Sequence, residues 1–73
     1  MLTQYIAQYC ALHGDVDHVI CEVGGGYTDA MACLDKPLPK GLEGKVDYVV
    51  IVREVHDEEG VKTEEIERLN LRR

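Results

Sequence analysis

The stretch VDYVVIVREV, at positions 46–55, decides the fold, because it is the longest run of β-branched and aromatic residues in the chain. Turn residues close both of its ends. Its two alternating sets are Val46, Tyr48, Val50 and Val52 on one side, and Asp47, Val49, Ile51, Arg53 and Val55 on the other. This pattern predicts a central strand that is buried on one face and partly covered on the other.

The N-terminal segment 2–13 has apolar residues at helical spacing, with glutamines and a threonine between them. Read with a period of two, it would put Gln4, Ile6, Gln8 and Cys10 on one face, which suits a buried sheet poorly. The spacing therefore predicts an amphipathic helix that ends at Gly14.

Between this helix and the central strand, alternating apolar residues predict a strand at 16–23, followed by a turn at Gly24-Gly25-Gly26. Segment 27–34 has two interpretations. Ala30, Met31 and Ala32 favour a helix, whereas the short glycine connection favours a hairpin strand, which is the prediction adopted. Residues 35–45 contain two prolines and two glycines, which predict an irregular loop.

After the central strand, residues 56–60 (HDEEG) predict a turn, and the chain should then pair back on itself. The tail at 63–71 could be a helix, with the pair Glu64/Arg68, but the alternation of Leu69 and Leu71 favours a strand. The predicted fold is thus α+β, in one domain over 1–73. An N-terminal helix packs on a small antiparallel sheet of three or four strands.

Composition restricts the function. Fourteen acidic residues against eight basic ones give a net charge of −6, which opposes direct contact with nucleic acid and favours a basic protein partner. No secretory signal and no membrane-spanning segment is recognised. Three cysteines (Cys10, Cys21 and Cys33) fit no disulfide framework, which indicates reduced thiols in a cytoplasmic protein.

Metal binding and catalysis have weak signals. Cys10, His13, His18 and Cys21 resemble two ligand pairs, but only four residues separate the histidines, and His18 and Cys21 would point to opposite faces of a strand. A thiol nucleophile formed by Cys21 or Cys33 with His56 lacks a local signature. We therefore expect no metal, no cofactor and no enzymatic activity.

The acidic segment is the most distinctive feature. Seven acids lie between Glu54 and Glu67, against the single lysine Lys62. They either keep a hairpin soluble or steer the chain to a basic partner. If the helix covers one face of the sheet, Val49 and Ile51 lie on the other, as an apolar strip for a partner or a second copy. The residues predicted to bind protein are therefore Asp57, Glu58, Glu59, Glu64, Glu65, Val49 and Ile51.

The function expected is that of a small acidic protein-binding module. It would act as an inhibitor or adaptor on a basic or nucleic-acid-binding protein, as is typical of small phage or mobile-element proteins. The first alternative is a structural subunit that forms a homo-oligomer, with a homodimer as the simplest case. The second alternative is a small zinc- or thiol-dependent protein.

Overall fold

The computed structural model describes residues 1–71 and consists mainly of one antiparallel sheet. Its strands are β1 (Leu2–His13), β2 (Val16–Gly25), β3 (Tyr48–Asp57) and β4 (Gly60–Asn70), and one short helix, α1 (Tyr27–Ala32), follows β2. The strand order is β2-β1-β3-β4. Strands make up 61% of the chain and helix 8%, so the predicted α+β fold with an N-terminal helix is wrong.

The N-terminal segment is a strand because one of its faces packs in the core and the other forms hydrogen bonds on the opposite side of the sheet. Tyr5, Ala7 and Tyr9 point into the core, where the small Ala7 is 0% exposed. The other side carries Gln4, Ile6, Gln8 and Cys10, the set whose polarity had argued for a helix. Gly14, with φ of +64°, does not end a helix. It occupies the first central position of the two-residue turn between β1 and β2, where a positive φ is required.

The strand predicted at 16–23 is confirmed as β2, which extends to Gly25. The strand predicted at 27–34 is wrong, because residues 27–32 form α1. Its first turn is closed by the Ala30 amide, which donates to the Gly26 carbonyl at 3.0 Å. The helix propensity of the Ala-Met-Ala segment prevails here, and the three glycines let the chain leave the sheet and turn over it.

The elements predicted in the C-terminal half are confirmed, although the strand predicted at 46–55 runs from Tyr48 to Asp57 and the turn predicted at 56–60 is only two residues long. Residues 35–45 are irregular, the central strand appears as β3 in the sheet interior, and Glu58 and Glu59 form the turn to β4. The predicted strand in the tail is part of β4, which ends at Asn70. The start of β3 is secured by Asp47. Its backbone amide donates to the Cys10 carbonyl at 2.8 Å, and its Oδ2 accepts from the Leu12 amide at 2.6 Å.

The two faces of the sheet differ. We call the side against α1 and the segment 33–46 the covered face; its core consists of Ala7, Tyr9, Ala30, Cys33, Val46, Val49 and Ile51. We call the opposite side the open face, since no helix or loop of residues 1–71 lies over it. Its buried residues are Cys10, Tyr48, Val50 and Val52. Val49 and Ile51, predicted to form an exposed strip, are 1% and 0% exposed on the covered face.

Two irregularities reset the alternation of the outer strands. Tyr9 pairs with Cys21 and Cys10 with Val19, so Ile20 is an extra residue in β2. In β4, Ile66 is likewise extra, because Ile51 pairs with Glu67 and Val52 with Glu65. Such bulges place consecutive side chains on one face. As a result Ile66 and Cys21 pack against the covered core, whereas Val19 lies on the open face.

Among residues 1–71, no helix has the length and apolar character required to cross a membrane.

Candidate protein-interaction surface

The centre of the open face is an apolar row on the two interior strands. Tyr48, Val50 and Val52 of β3 alternate on this side, and Cys10 of β1 pairs with Tyr48. A shallow groove of about 260 Å³ lies along the row. Val19 and Gln8 border it on one side, and Thr63, Glu65 and Arg68 border it on the other.

Long polar side chains from the neighbouring strands shield this row. The Arg68 guanidinium carbon lies 4.4 Å from the centroid of the Tyr48 ring, and Arg68 Nη2 donates to Glu65 Oε1 at 3.0 Å. The Glu65 carboxylate raises the pKa of Arg68, so the guanidinium keeps its charge. The stem and planar head of the arginine therefore cover apolar surface while the charge stays in water.

Two further polar pairs lie on the same face. Gln8 Nε2 donates to Glu22 Oε2 at 3.2 Å, and Gln4 Nε2 donates to Glu54 Oε1 at 3.1 Å. Glu54 also contacts the ring of His56. The hydrogen bonds that His56 and Gln4 make with Glu54 lower the pKa of its carboxyl group, and the bond with His56 has the larger effect.

The open face is strongly acidic. It carries the carboxylates of Asp17, Glu22, Glu54 and Glu65, which surround the apolar row; Asp17 is close enough to influence Tyr48. Arg68 is the one arginine or lysine beside the groove within the described part of the chain. The open face thus combines an apolar centre with a negatively charged rim, whose charge is complementary to that of a basic surface.

Two titratable groups lie at the bottom of the groove, the Cys10 thiol and the Tyr48 hydroxyl. Burial raises the pKa of the Cys10 thiol, and it raises the pKa of the Tyr48 hydroxyl to about 12. Both groups stay protonated near neutral pH, so Cys10 lacks the thiolate that a nucleophile needs.

The structure distributes the predicted acidic residues over three places. Asp57, Glu58 and Glu59 are exposed at the end of the β3–β4 hairpin, where Lys62 Nζ lies 3.9 Å from Glu59 Oε2. Glu65 lies on the open face. Glu64 lies on the covered side, in an ion pair with Arg53. Val49 and Ile51 are core residues and are not accessible to a partner.

The predicted ligand and nucleophile pairs do not come together. The His13 and His18 rings contact edge to face, with centroids 5.1 Å apart, but Cys10 points to the other side of the sheet. Cys33 is buried at the C-terminal end of α1, where its thiol donates to the Asp29 carbonyl one helical turn earlier. Within residues 1–71, no group of three histidine, cysteine or acidic side chains is placed to hold a metal ion.

The open face could not be recognised from the sequence in advance; its residues include Gln8, Cys10, Tyr48, Val50, Val52 and Arg68. A partial signal was present in the alternation of Gln4, Ile6, Gln8 and Cys10, which marks a half-polar face of a strand. No known protein family, no curated protein and no solved structure matches this chain.

Proposed function

We propose that this chain is a small, non-catalytic protein-binding module that docks a basic segment of a partner protein on its open face. The observation that carries the proposal is the groove along Tyr48, Val50 and Val52 with four carboxylates around it. A segment in which basic and apolar residues alternate would place its apolar side chains in the groove. Its cations would then meet the acidic rim.

The same charges argue against self-docking through this face. Two copies placed face to face would bring Glu22, Glu54 and Glu65 of one copy toward the acids of the other. Like charges in a desolvated interface cost on the order of several kcal/mol, which opposes this pairing of two copies. The partner is therefore a basic protein, with nucleic-acid-binding proteins as the class with the most exposed cations.

The acidic hairpin end has a separate part in the proposal. Asp57, Glu58 and Glu59 lie at one extremity and have few cationic neighbours, so their field extends into solvent. Charges at the rim of an interface accelerate encounter more than they strengthen the final complex. The hairpin end thus steers the partner, and the open face holds it. Occupation of a basic surface in this way makes the chain an inhibitor or an adaptor.

We also place this function in the cytoplasm. Cys10 and Cys33 are buried and Cys21 is partly buried, and all three are free thiols. Free buried thiols fit a reducing compartment, where pairing with other thiols is not favoured.

The test measures binding kinetics with a defined probe, a synthetic peptide in which lysine and valine alternate. Surface plasmon resonance compares the wild type with the variant Glu22→Gln/Glu54→Gln/Glu65→Gln, which keeps the shape and hydrogen bonds of the rim. We expect faster dissociation and binding weaker by about tenfold or more. The variant Asp57→Asn/Glu58→Gln/Glu59→Gln should instead slow association and reduce its dependence on salt, with dissociation unchanged.

A matched control removes the same number of charges elsewhere, by Asp15→Asn/Asp35→Asn/Glu43→Gln, and should change both rates little. A second peptide, with serine in place of valine, should bind more weakly because it cannot fill the groove. If the rim variant binds the lysine–valine peptide as the control variant does, the open face is not the binding surface.

A further inference from the structure

The free edge of β2 is unusually apolar for the edge of a sheet. Val16, Val19, Ile20 and Val23 are between 39% and 55% exposed. The strand contains no lysine, arginine or proline. The other edge, β4, is protected in the usual way by five charged side chains: Lys62, Glu64, Glu65, Glu67 and Arg68. An apolar edge with unpaired backbone groups is a template for pairing with another strand.

The bulge in β2 determines which side chains share a face along this edge. Asp17 and Glu22 lie on the open face with Val19, as their partners on β1 indicate. His18, Ile20 and Cys21 lie on the covered side: His18 contacts His13, Ile20 lies near Leu42, and Cys21 packs against the core.

We infer that β2 pairs antiparallel with β2 of a second copy of this chain, about a twofold axis between Ile20 and Cys21. The two sheets then continue into one sheet of eight strands. Residues directly opposite each other in an antiparallel pair must point to the same face. With this axis they do so on both sides of the bulge: Ile20 lies opposite Cys21, Val19 opposite Glu22 and His18 opposite Val23 of the second copy.

Neighbouring registers fail on geometry or charge. A shift of one residue in either direction sets Val19 opposite Cys21 or Ile20 opposite Glu22, which point to different faces. A shift of two residues one way sets Asp17 of each copy opposite Glu22 of the other. The symmetric pair would then contain two repulsive acid–acid contacts. The same shift the other way sets Cys21 opposite Glu22, again on different faces. The bulge and the two acids thus select one register.

This pairing goes beyond the proposed function. It uses the strand edge and places nothing over the row of Tyr48, Val50 and Val52, although Val19 and Glu22 lie beside both the groove and the paired edge. A symmetric pair also closes, because the edges that remain free are the charged β4 strands.

The test is sedimentation equilibrium up to millimolar concentrations, combined with variants. We expect a species of twice 8.2 kDa for the wild type. The variant Ile20→Lys brings two lysines together at the axis and should raise the dimer dissociation constant by at least about tenfold. The control is Val61→Lys on β4, at a site that is 56% exposed, and it should leave the constant unchanged. Circular dichroism checks that both variants are folded.

Oxidative cross-linking tests the register. The two Cys21 α-carbons would lie roughly 6 Å apart, from a strand spacing of about 4.8 Å and a rise of about 3.3 Å, which a disulfide can span. Diamide should therefore join them, accepting the two protons and two electrons that the thiols release, and Cys21→Ser should abolish the product. A monomer over the whole concentration range would overturn the inference. So would an Ile20→Lys variant that dimerises normally, a dimer that diamide does not cross-link, or growth into long polymers.

Discussion

Replacement of Val49 and Val50 by alanine, one at a time, tests the assignment of the two faces of the sheet. The two residues are neighbours on β3 and have the same side chain. Val49 is 1% exposed on the covered face, beneath α1 and the segment 33–46, and Val50 is 5% exposed on the open face. The change in β-strand propensity and the position in the strand are nearly the same at the two sites. The difference in free energy of unfolding between the variants therefore reports on what covers each face.

The magnitudes follow from burial. Removal of two methyl groups costs about 1.6 kcal/mol in transfer free energy, at ~0.8 kcal/mol each. At Val49 the helix and loop close over the vacated space, so a cavity term adds to the cost and the total is about 2–3 kcal/mol. Val50 is also buried, but the long side chains of Gln8 and Arg68, which lie opposite it on the neighbouring strands, can settle into the vacated space and replace part of the lost contacts, so we expect about 1 kcal/mol.

The assay is urea unfolding followed by far-ultraviolet circular dichroism. A difference of about 1–2 kcal/mol between the variants should separate their midpoints by about 1 M, given a slope near 1 kcal/mol/M for so small a domain. Equal slopes are required for the comparison. If Val50→Ala is as destabilising as Val49→Ala, or more so, then the open face is covered in solution and the assignment is wrong.

Three further predictions concern single sites. Asp47→Ala should lower the free energy of unfolding by about 1–3 kcal/mol, because the β1 amide that it accepts from loses its partner, and Asp47→Asn should recover part of this in urea unfolding. Contact with His56 lowers the pKa of Glu54, so its stabilising effect is present above the pKa of the unfolded chain and is lost as pH falls through the folded value; Glu54→Gln should flatten the acid limb of the thermal stability–pH profile. Gly60→Ala should cost about 1–3 kcal/mol because φ is +128° at the hairpin turn, whereas Gly24→Ala, in open space at ordinary φ, should not, as thermal unfolding can show.

The part of the fold that could be predicted is the part in which local signals and the sheet agree. The run of β-branched residues at 46–55 has no competing helical pattern. The short turn that ends at Gly60 directs the following residues back along β3, so that β4 pairs antiparallel with it. These two signals predicted the C-terminal hairpin correctly from the chain alone.

The N-terminal strand could not be predicted with the assumption that every strand face meets a core. Gln4 and Gln8 look misplaced in a buried sheet, but on an open face their amides reach the carboxylates of Glu54 and Glu22. The helical spacing of Tyr5 and Tyr9 arises because residues four apart also share a face of a strand. Only the tertiary arrangement separates these two interpretations of one pattern.

The surface was harder to predict than the strands, for a related reason. The two alternating sets of β3 are visible in the sequence, but the predicted N-terminal helix would have covered the wrong set, and Val49 and Ile51 are in fact on the covered face. The bulge at Ile20 added to the difficulty, since it reverses the alternation in the middle of β2 and leaves no mark in the sequence. Both features depend on contacts between distant parts of the chain.

The most direct test of the central claim, that the open face binds a basic partner, is chemical-shift mapping. The ¹⁵N-labelled chain is titrated with the lysine–valine peptide and followed by two-dimensional NMR. We expect the largest amide shifts at Gln8, Val50, Thr63 and Arg68, around the groove. Amides along α1 should shift little. Shifts confined to α1 and the 33–46 segment, or spread evenly over all acidic residues, would contradict the claim.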